Sequence, residues 1–192
     1  MGTGFEATRE RVVMAAAELF ARHGYHGTGV ADLGREVGLG KGALYRYIGS
    51  KEDLLYEISV KQVERMNSVA ESIVESDASA VDMLHALGRA LVRNIADHRD
   101  EWTVFFSDYH ALTGPRRDKV IAARQQYEDY WQLALRRGRD EGTIAPGNRL
   151  VVKGVLGMLN YTYLWFEPSG DLSPEQLADQ FVATLLDGIR PR

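Results

Sequence analysis

The sequence predicts an all-α protein with a small N-terminal helix-turn-helix head and a larger helical body. Three observations predict it. Apolar residues recur at i, i+3 and i+4 along nearly the whole chain, and no stretch sustains the period-2 alternation of a strand. Glycine and proline mark several of the breaks between these stripes, as at Gly24, Gly38 to Gly40, Gly114-Pro115 and Gly142. The first 51 residues carry seven basic and five acidic side chains, although the 192-residue chain has a net charge of −4. That asymmetry points to an anion-facing module on an acidic body.

Each element has its own signal. Val12, Val13, Ala16, Leu19, Phe20 and His23 form the first apolar stripe, and Gly24 ends it as a C-terminal cap. A short helix follows over Val30 to Val37. Gly38-Leu39-Gly40 turns the chain, and a second short helix is expected over about Lys41 to Ile48. Ser50 caps a long helix whose first turn holds Glu52 and Asp53, both favourable to the helix dipole. Its stripe is Leu55, Ile58, Val63, Met66, Val69 and Ile73. Val81, Leu84, Leu87, Leu91 and Ile95 mark the next helix, and Trp102, Phe105, Phe106 and Tyr109 a short aromatic one. Arg116 to Arg139 lies between Gly114-Pro115 and Gly142. Leu150 to Phe166 is apolar on nearly every side, and Ser173-Pro174 opens a last helix to about Leu186.

Composition excludes several function classes. There is no cysteine, hence no disulfide framework, thiolate catalysis or Cys-ligated metal. The N-terminal residues lack the apolar run of a signal peptide, and the longest uncharged run, Gly154 to Phe166, is too short to span a bilayer. A soluble, cytoplasmic protein with no membrane partner is expected. Ser107, Asp108 and His110 lie within four positions on one helix and cannot converge around a reacting carbon as a triad must. His23 and His26 have no third ligand at metal-site spacing. No phosphate-cradling loop is present. No enzyme, cofactor or metal is expected.

The informative stretch is Gly24 to Lys51. Two short helices joined by a glycine-bearing turn describe a helix-turn-helix. Val30, Leu33 and Val37 would face inward on the first, Leu44 and Ile48 on the second. That leaves Lys41, Gly42, Ala43, Tyr45, Arg46 and Tyr47 near the outer face. Small residues admit a duplex closely, Lys and Arg reach phosphates or guanine edges, and tyrosine hydroxyls bond phosphate oxygens. Lys51 joins the basic set, and Thr28 is either a phosphate contact or a cap. The plainer reading of Lys41, Arg46 and Lys51 is a solvated face, and of Tyr45 and Tyr47 a packing role.

These residues resemble the tetracycline-repressor (TetR) family of bacterial transcriptional regulators. Gly24, Tyr25, Thr28, Asp32, Leu33 and Gly34, the turn Gly38 to Gly40, and the run Lys41, Gly42, Ala43, Leu44, Tyr45, Arg46, Tyr47, Ile48, Ser50, Lys51, Glu52 and Leu54 stand at the places of the family motif. Gly29 and Gly40 replace the usual Ser or Thr caps, and Ala43 a common Thr; these departures bear on operator choice. The resemblance implies a DNA-binding domain over 1–51 and a ligand-binding, dimerising domain over 52–192. It implies a homodimer on a palindromic double-stranded DNA operator, released by a small-molecule inducer.

In the body, the resemblance places the dimer contact on the last two long helices, with Val155, Leu159, Tyr163, Leu177, Phe181 and Leu185 as candidates. Gly154 and Gly157 would allow close helix approach. Trp102, Phe105, Phe106, Tyr109, His110, Tyr127, Trp131, Asn160 and Trp165 are the candidate pocket, apolar with a few polar groups. Gly157 to Pro168, followed by Gly170-Asp171-Leu172-Ser173, is similar to the family branch that controls fatty-acid or steroid catabolism and senses acyl-CoA-type ligands. The expected inducer is therefore largely apolar, an acyl-CoA or a steroid-like acid, with Arg116, Arg117, Arg136, Arg137 or Arg139 available to a coenzyme A head. The competing reading is a carrier or sequestering protein whose DNA head has decayed.

Overall fold

The computed structural model describes residues 3–145 and 150–189; the outermost residues of the two expected domains lie outside that range. Helices run in the order α1 (Thr3–His23), α2 (Val30–Val37), α3 (Lys41–Leu44), α4 (Lys51–Val74), α5 (Ala80–Asp97), α6 (Arg99–Asp108), α7 (Gly114–Asp140), α8 (Leu150–Asn160), α9 (Thr162–Trp165) and α10 (Pro174–Ile189), with a 3₁₀ turn at Tyr109–Ala111. The fold is all-α. Among the described residues no helix is long and apolar enough to cross a membrane.

Two compact units form. One holds the described residues up to Gln62 together with Asp100–Ile121; the other holds Val63–Arg99 and the described residues from Ala122 onward. This differs from the expected division at 51/52. The head draws in Asp100–Ile121 because its core and its polar contacts both extend there.

In the first unit, Val12, Ala16 and Phe20 of α1 are buried with Leu33 and Val37 of α2, Leu44 of α3, and Leu54, Leu55 and Ile58 of α4. Trp102, Val104, Phe105 and Leu112 add to this core. Ser50 caps α4 as expected, its hydroxyl accepting from the Asp53 N–H at 3.0 Å. The second short helix departs from expectation. Its regular part ends at Leu44, and Arg46 and Tyr47 bond back three residues, to the Ala43 and Leu44 carbonyls, before Ile48 N–H returns to Leu44 O. The chain tightens before Gly49, yet Leu44 and Ile48 remain buried anchors.

In the second unit α10 lies along α5, with α8 and α9 beside them. Gly88 makes the α5–α10 approach possible: a Cβ there would sit 2.9 Å from a Val182 methyl. Leu84, Leu87, Leu91 and Ile95 are buried with Val155, Leu159, Leu177 and Val182. Ion pairs edge this contact: Asp179 accepts from Arg89 and meets His85, both at 2.7 Å, and Arg93 forks onto Glu175 at 2.6 and 2.7 Å. Ser173 and Gln176 form a reciprocal capping box at the start of α10.

Two further expectations are corrected. Val69 of the α4 stripe is exposed, and Ala70, one turn beyond Met66, is the buried residue. The apolar run 150–166 is two helices, not one. The break falls among Asn160, Tyr161, Thr162 and Tyr163, all modest helix formers, and the Thr162 hydroxyl donates to Leu159 O at 2.6 Å.

Candidate nucleic-acid interface and ligand core

The elbow of the head is built from glycines. Gly38 adopts φ +70°, a left-handed conformation that ends α2, with its N–H on Arg35 O. Leu39 N–H then bonds Gly34 O at 2.8 Å, and a Cβ on Gly34 would meet Leu39 O at 2.6 Å. The Arg11 guanidinium donates to Val37 O at 3.1 Å, satisfying an end carbonyl of α2. The lost cap at Gly29 is half replaced: Asp32 Oδ2 accepts the Gly29 N–H at 2.8 Å. Burying Leu44 completely is worth about 1.5–3 kcal/mol, so α3 is held on its inner side by packing rather than by length.

On the outer side Lys41, Gly42, Tyr45 and Arg46 are exposed, and Ala43 and Tyr47 half-buried. No ion pair joins Lys41 or Arg46 to an acidic side chain among the described residues. A Cβ on Gly42 would face open space. The Tyr47 ring stacks on Phe5 of α1, with centroids 4.9 Å apart. Periodicity gave no reason to single out Phe5, which lies before the first apolar stripe.

Two expected contact residues are corrected. Thr28 is 2% exposed, and its hydroxyl lies 3.0 Å from Gly24 O and 3.2 Å from Leu19 O as donor. It ties the α1–α2 link together instead of facing a phosphate. Lys51 donates from Nζ to Tyr25 O at 2.6 Å and Thr28 O at 2.9 Å, and stands 4.2 Å from the Tyr25 ring centroid. Burial draws its pKa below the ordinary lysine value, with the Asp108 carboxylate pulling the other way. It is an internal clasp.

A polar strap joins the head to the end of α6 and the residues that follow it. Asp108 Oδ2 accepts the Tyr25 N–H at 3.2 Å. Glu52 accepts from Thr113 N–H and hydroxyl, and Arg116 pairs with Glu52 and Asp53. Burial, with the Glu52 carboxylate next, pushes the Tyr25 phenol upward. Asp108, which sequence spacing marks only as a poor catalytic residue, has this holding role. Its closeness to Tyr25 in the fold is what reveals it.

The expected pocket residues divide between the units. Trp102, Phe105, Phe106 and Tyr109 make an aromatic ladder on and after α6, with neighbouring centroids 5.1 to 5.7 Å apart. His110 is exposed, its ring 4.6 Å from Tyr109, and does not sit on an enclosed wall. In the second unit Tyr127 and Trp131 are buried and Asn160 half-buried. Trp165 is 47% exposed and edge-on to Phe181, so it too is corrected to the surface. Arg116 and Arg137 are engaged, the latter with Glu141 and Ser76 O.

The expected dimer residues separate in the same way. Val155, Leu159 and Leu177 are interior to the second unit, which corrects their assignment to a partner-facing surface. A helix apolar on all sides gives periodicity no means to tell its two covers apart. Tyr163, Phe181 and Leu185 are half-buried. Leu150, Met158, Leu164 and Trp165 on α8 and α9, with Tyr161 between them, are the large apolar residues left exposed here.

A glycine elbow seated on buried anchors and presenting basic and tyrosine side chains outward is the geometry of helix-turn-helix DNA-binding regulators. Residues 12–58 match the model of bacterial regulatory proteins of the tetR family, and residues 77–189 that of the tetracyclin repressor-like C-terminal domain. The chain belongs to the TetR family, whose members are ligand-responsive DNA-binding regulators and not enzymes. It is 27% identical over 184 residues to the HTH-type transcriptional repressor KstR2 of Mycobacterium tuberculosis, covering 94% of this chain and 92% of that one. The solved structure of that ketosteroid transcriptional regulator superposes with TM-score 0.88 at 26% identity, over 96% and 95% of the two chains. PfmR of Thermus thermophilus is 31% identical with TM-score 0.86, over 94% and 100%. AibR, solved with isovaleryl coenzyme A and operator DNA, is 28% identical with TM-score 0.83, over 93% and 98%.

Proposed function

We propose that this chain is a homodimeric repressor that reads a palindromic operator through Lys41, Gly42, Ala43, Tyr45, Arg46 and Tyr47, and that a largely apolar inducer of the acyl-CoA class releases it. The observation that carries the DNA reading is the outward row of Lys41, Tyr45 and Arg46 on an anchored α3, with both cations clear of acidic partners among the described residues. Thr28 and Lys51 contribute by holding the head together. The anchored elbow, with Asp32 taking up the Gly29 N–H, supports an intact head over a decayed one.

Dimerisation through α8, α9 and α10 accounts for the exposed Leu150, Met158, Tyr161, Leu164 and Trp165, which otherwise leave large apolar side chains in water. The inducer class is supported by the aromatic ladder, by the ketosteroid regulator among the similar structures and by the isovaleryl coenzyme A bound to another. A full switch from 1:99 to 99:1 needs about a 10⁴-fold preference of the inducer for the DNA-incompetent state, about 5.5 kcal/mol, shared over two sites.

Selection of genomic fragments by the purified protein tests the DNA reading. The expected yield is an inverted repeat with half-site centres about 34–36 Å apart or a multiple of that; recovery of no sequence preference overturns it. Acyl-CoAs, free fatty acids and steroid-like acids are then titrated against the protein–DNA complex. Release by none of them overturns the inducer class and leaves the repressor standing.

A further inference from the structure

Two of the buried polar groups that lack a well-formed hydrogen bond among the described residues lie on one helix of the second unit. Tyr127 and Trp131 are one turn apart on α7, so their side chains share a face. Tyr127 is 7% exposed and Trp131 not at all; the indole N–H is directed at the phenol oxygen, but neither group makes a well-formed hydrogen bond among the described residues. Asn67 of α4 bonds through Nδ2 to Ala123 O at 3.0 Å, one turn before Tyr127, while its Oδ1 is unpartnered among the same residues. Buried polar atoms are paired in the great majority of cases, because an unpaired one destabilises the fold. Such buried atoms, two of them one turn apart on α7, are a cost that packing alone does not explain.

The donor types select the ligand group. An indole N–H only donates, and a phenol can donate as well as accept. Burial pushes the Tyr127 phenol upward, with the Trp131 indole opposing, so the hydroxyl keeps its proton at neutral pH. Neither group brings a charge to balance a buried carboxylate. Two neutral donors on one face suit one neutral oxygen with two lone pairs. Building on the ligand-responsive reading above, we infer that Tyr127 and Trp131 form a carbonyl-recognition pair, their O–H and N–H donating to one thioester or ketone oxygen of an otherwise apolar inducer.

The test uses the full-length protein, free and with named probes. In the free protein Tyr127→Phe is expected to melt at or above the wild-type temperature, since it removes a buried unpaired hydroxyl. A lower melting temperature would show that the hydroxyl is structurally bonded and would overturn the proposal. The probes are isovaleryl-CoA, octanoyl-CoA, the S-octyl-CoA thioether that lacks the carbonyl, and androst-4-ene-3,17-dione, read by tryptophan fluorescence. A carbonyl probe is expected to bind wild type roughly three- to tenfold more tightly than it binds Tyr127→Phe, the ratio for one lost hydrogen bond. The thioether is expected to bind both alike, and octanoyl-CoA should outbind it by a wider margin on wild type than on Tyr127→Phe, where the Trp131 N–H remains. Preference for the thioesters identifies an acyl source and preference for the dione a steroid source. Equal binding of a carbonyl probe by wild type and variant overturns the pair. Binding of no carbonyl probe also overturns it, and operator-fragment binding by the same preparation then decides the repressor reading separately.

Discussion

The Lys51 ammonium stands 2.6 Å from the Tyr25 carbonyl and 4.2 Å from the centroid of the same residue's ring, so one cation holds both the backbone and the side chain of Tyr25. Lys51→Met should therefore act on the head's stability. The expected loss is about 1–3 kcal/mol, from charged hydrogen bonds and a cation–π contact. Thermal melting checks the loss. Operator binding should weaken without a change in its salt slope, whereas a slope reduced by about one would assign Lys51 to a phosphate.

Arg46 and Lys41 should behave differently from Lys51 and from each other. Arg46→Ala is expected to cost about 1–3 kcal/mol and relax one operator position if its guanidinium reads a base edge. Lys41→Ala should weaken all sequences evenly and lower the salt slope by about one. Anisotropy titrations over several salt concentrations and single-base operator variants separate the two outcomes. Both variants should melt as wild type does, because both side chains are exposed.

Leu164→Glu or Trp165→Glu should give a folded monomer that binds a palindrome poorly, since both positions lie on the apolar surface that α9 leaves uncovered. Leu159→Glu or Leu177→Glu should instead unfold the second unit, because a buried unpaired carboxylate has no compensation there. Light scattering with circular dichroism reads both. A dimer that survives Leu164→Glu and Trp165→Glu together would place the interface elsewhere.

The α5–α10 edge should weaken in acid. Arg89, then His85, hold the Asp179 carboxyl below its ordinary 3.8, and Arg93 holds Glu175 below its ordinary 4.5. Folded carboxylates of depressed pKa bind fewer protons than unfolded ones, so stability rises with pH across the window between the two values. The contribution is complete above the ordinary values and is lost as pH falls through the folded ones. Melting temperature should therefore drop from about pH 5 toward about pH 3, and Asp179→Asn with Glu175→Gln should flatten that drop.

Local chemistry was legible in the sequence and long-range partnership was not. The Gly38 turn, the buried Leu44 and Ile48, and the Ser50 and Ser173 caps follow from neighbours a few residues away. Lys51 looked like a phosphate ligand because residue type and charge run were all that the sequence showed; its acceptor on Tyr25 lies 26 residues earlier. Thr28 failed for the same reason, its acceptors being carbonyls that no pattern marks. Leu159 and Leu177 are apolar whether they meet their own core or a partner, and only burial separates the cases. Phe5 escaped notice because its contact, Tyr47, belongs to another part of the head.

The bond from the Tyr25 amide to Asp108 joins a backbone group to a side chain, so its information is held at one position alone. Any residue but proline at 25 supplies the same N–H. Across relatives, pairwise covariation between 25 and 108 would therefore be silent even where the link persists. A mutational scan of the head would meet it only at Tyr25→Pro, whereas Asp108→Ala removes the acceptor directly. This bond thus constrains the side chain at 108 and only the backbone at 25, where the ring answers to Lys51 instead.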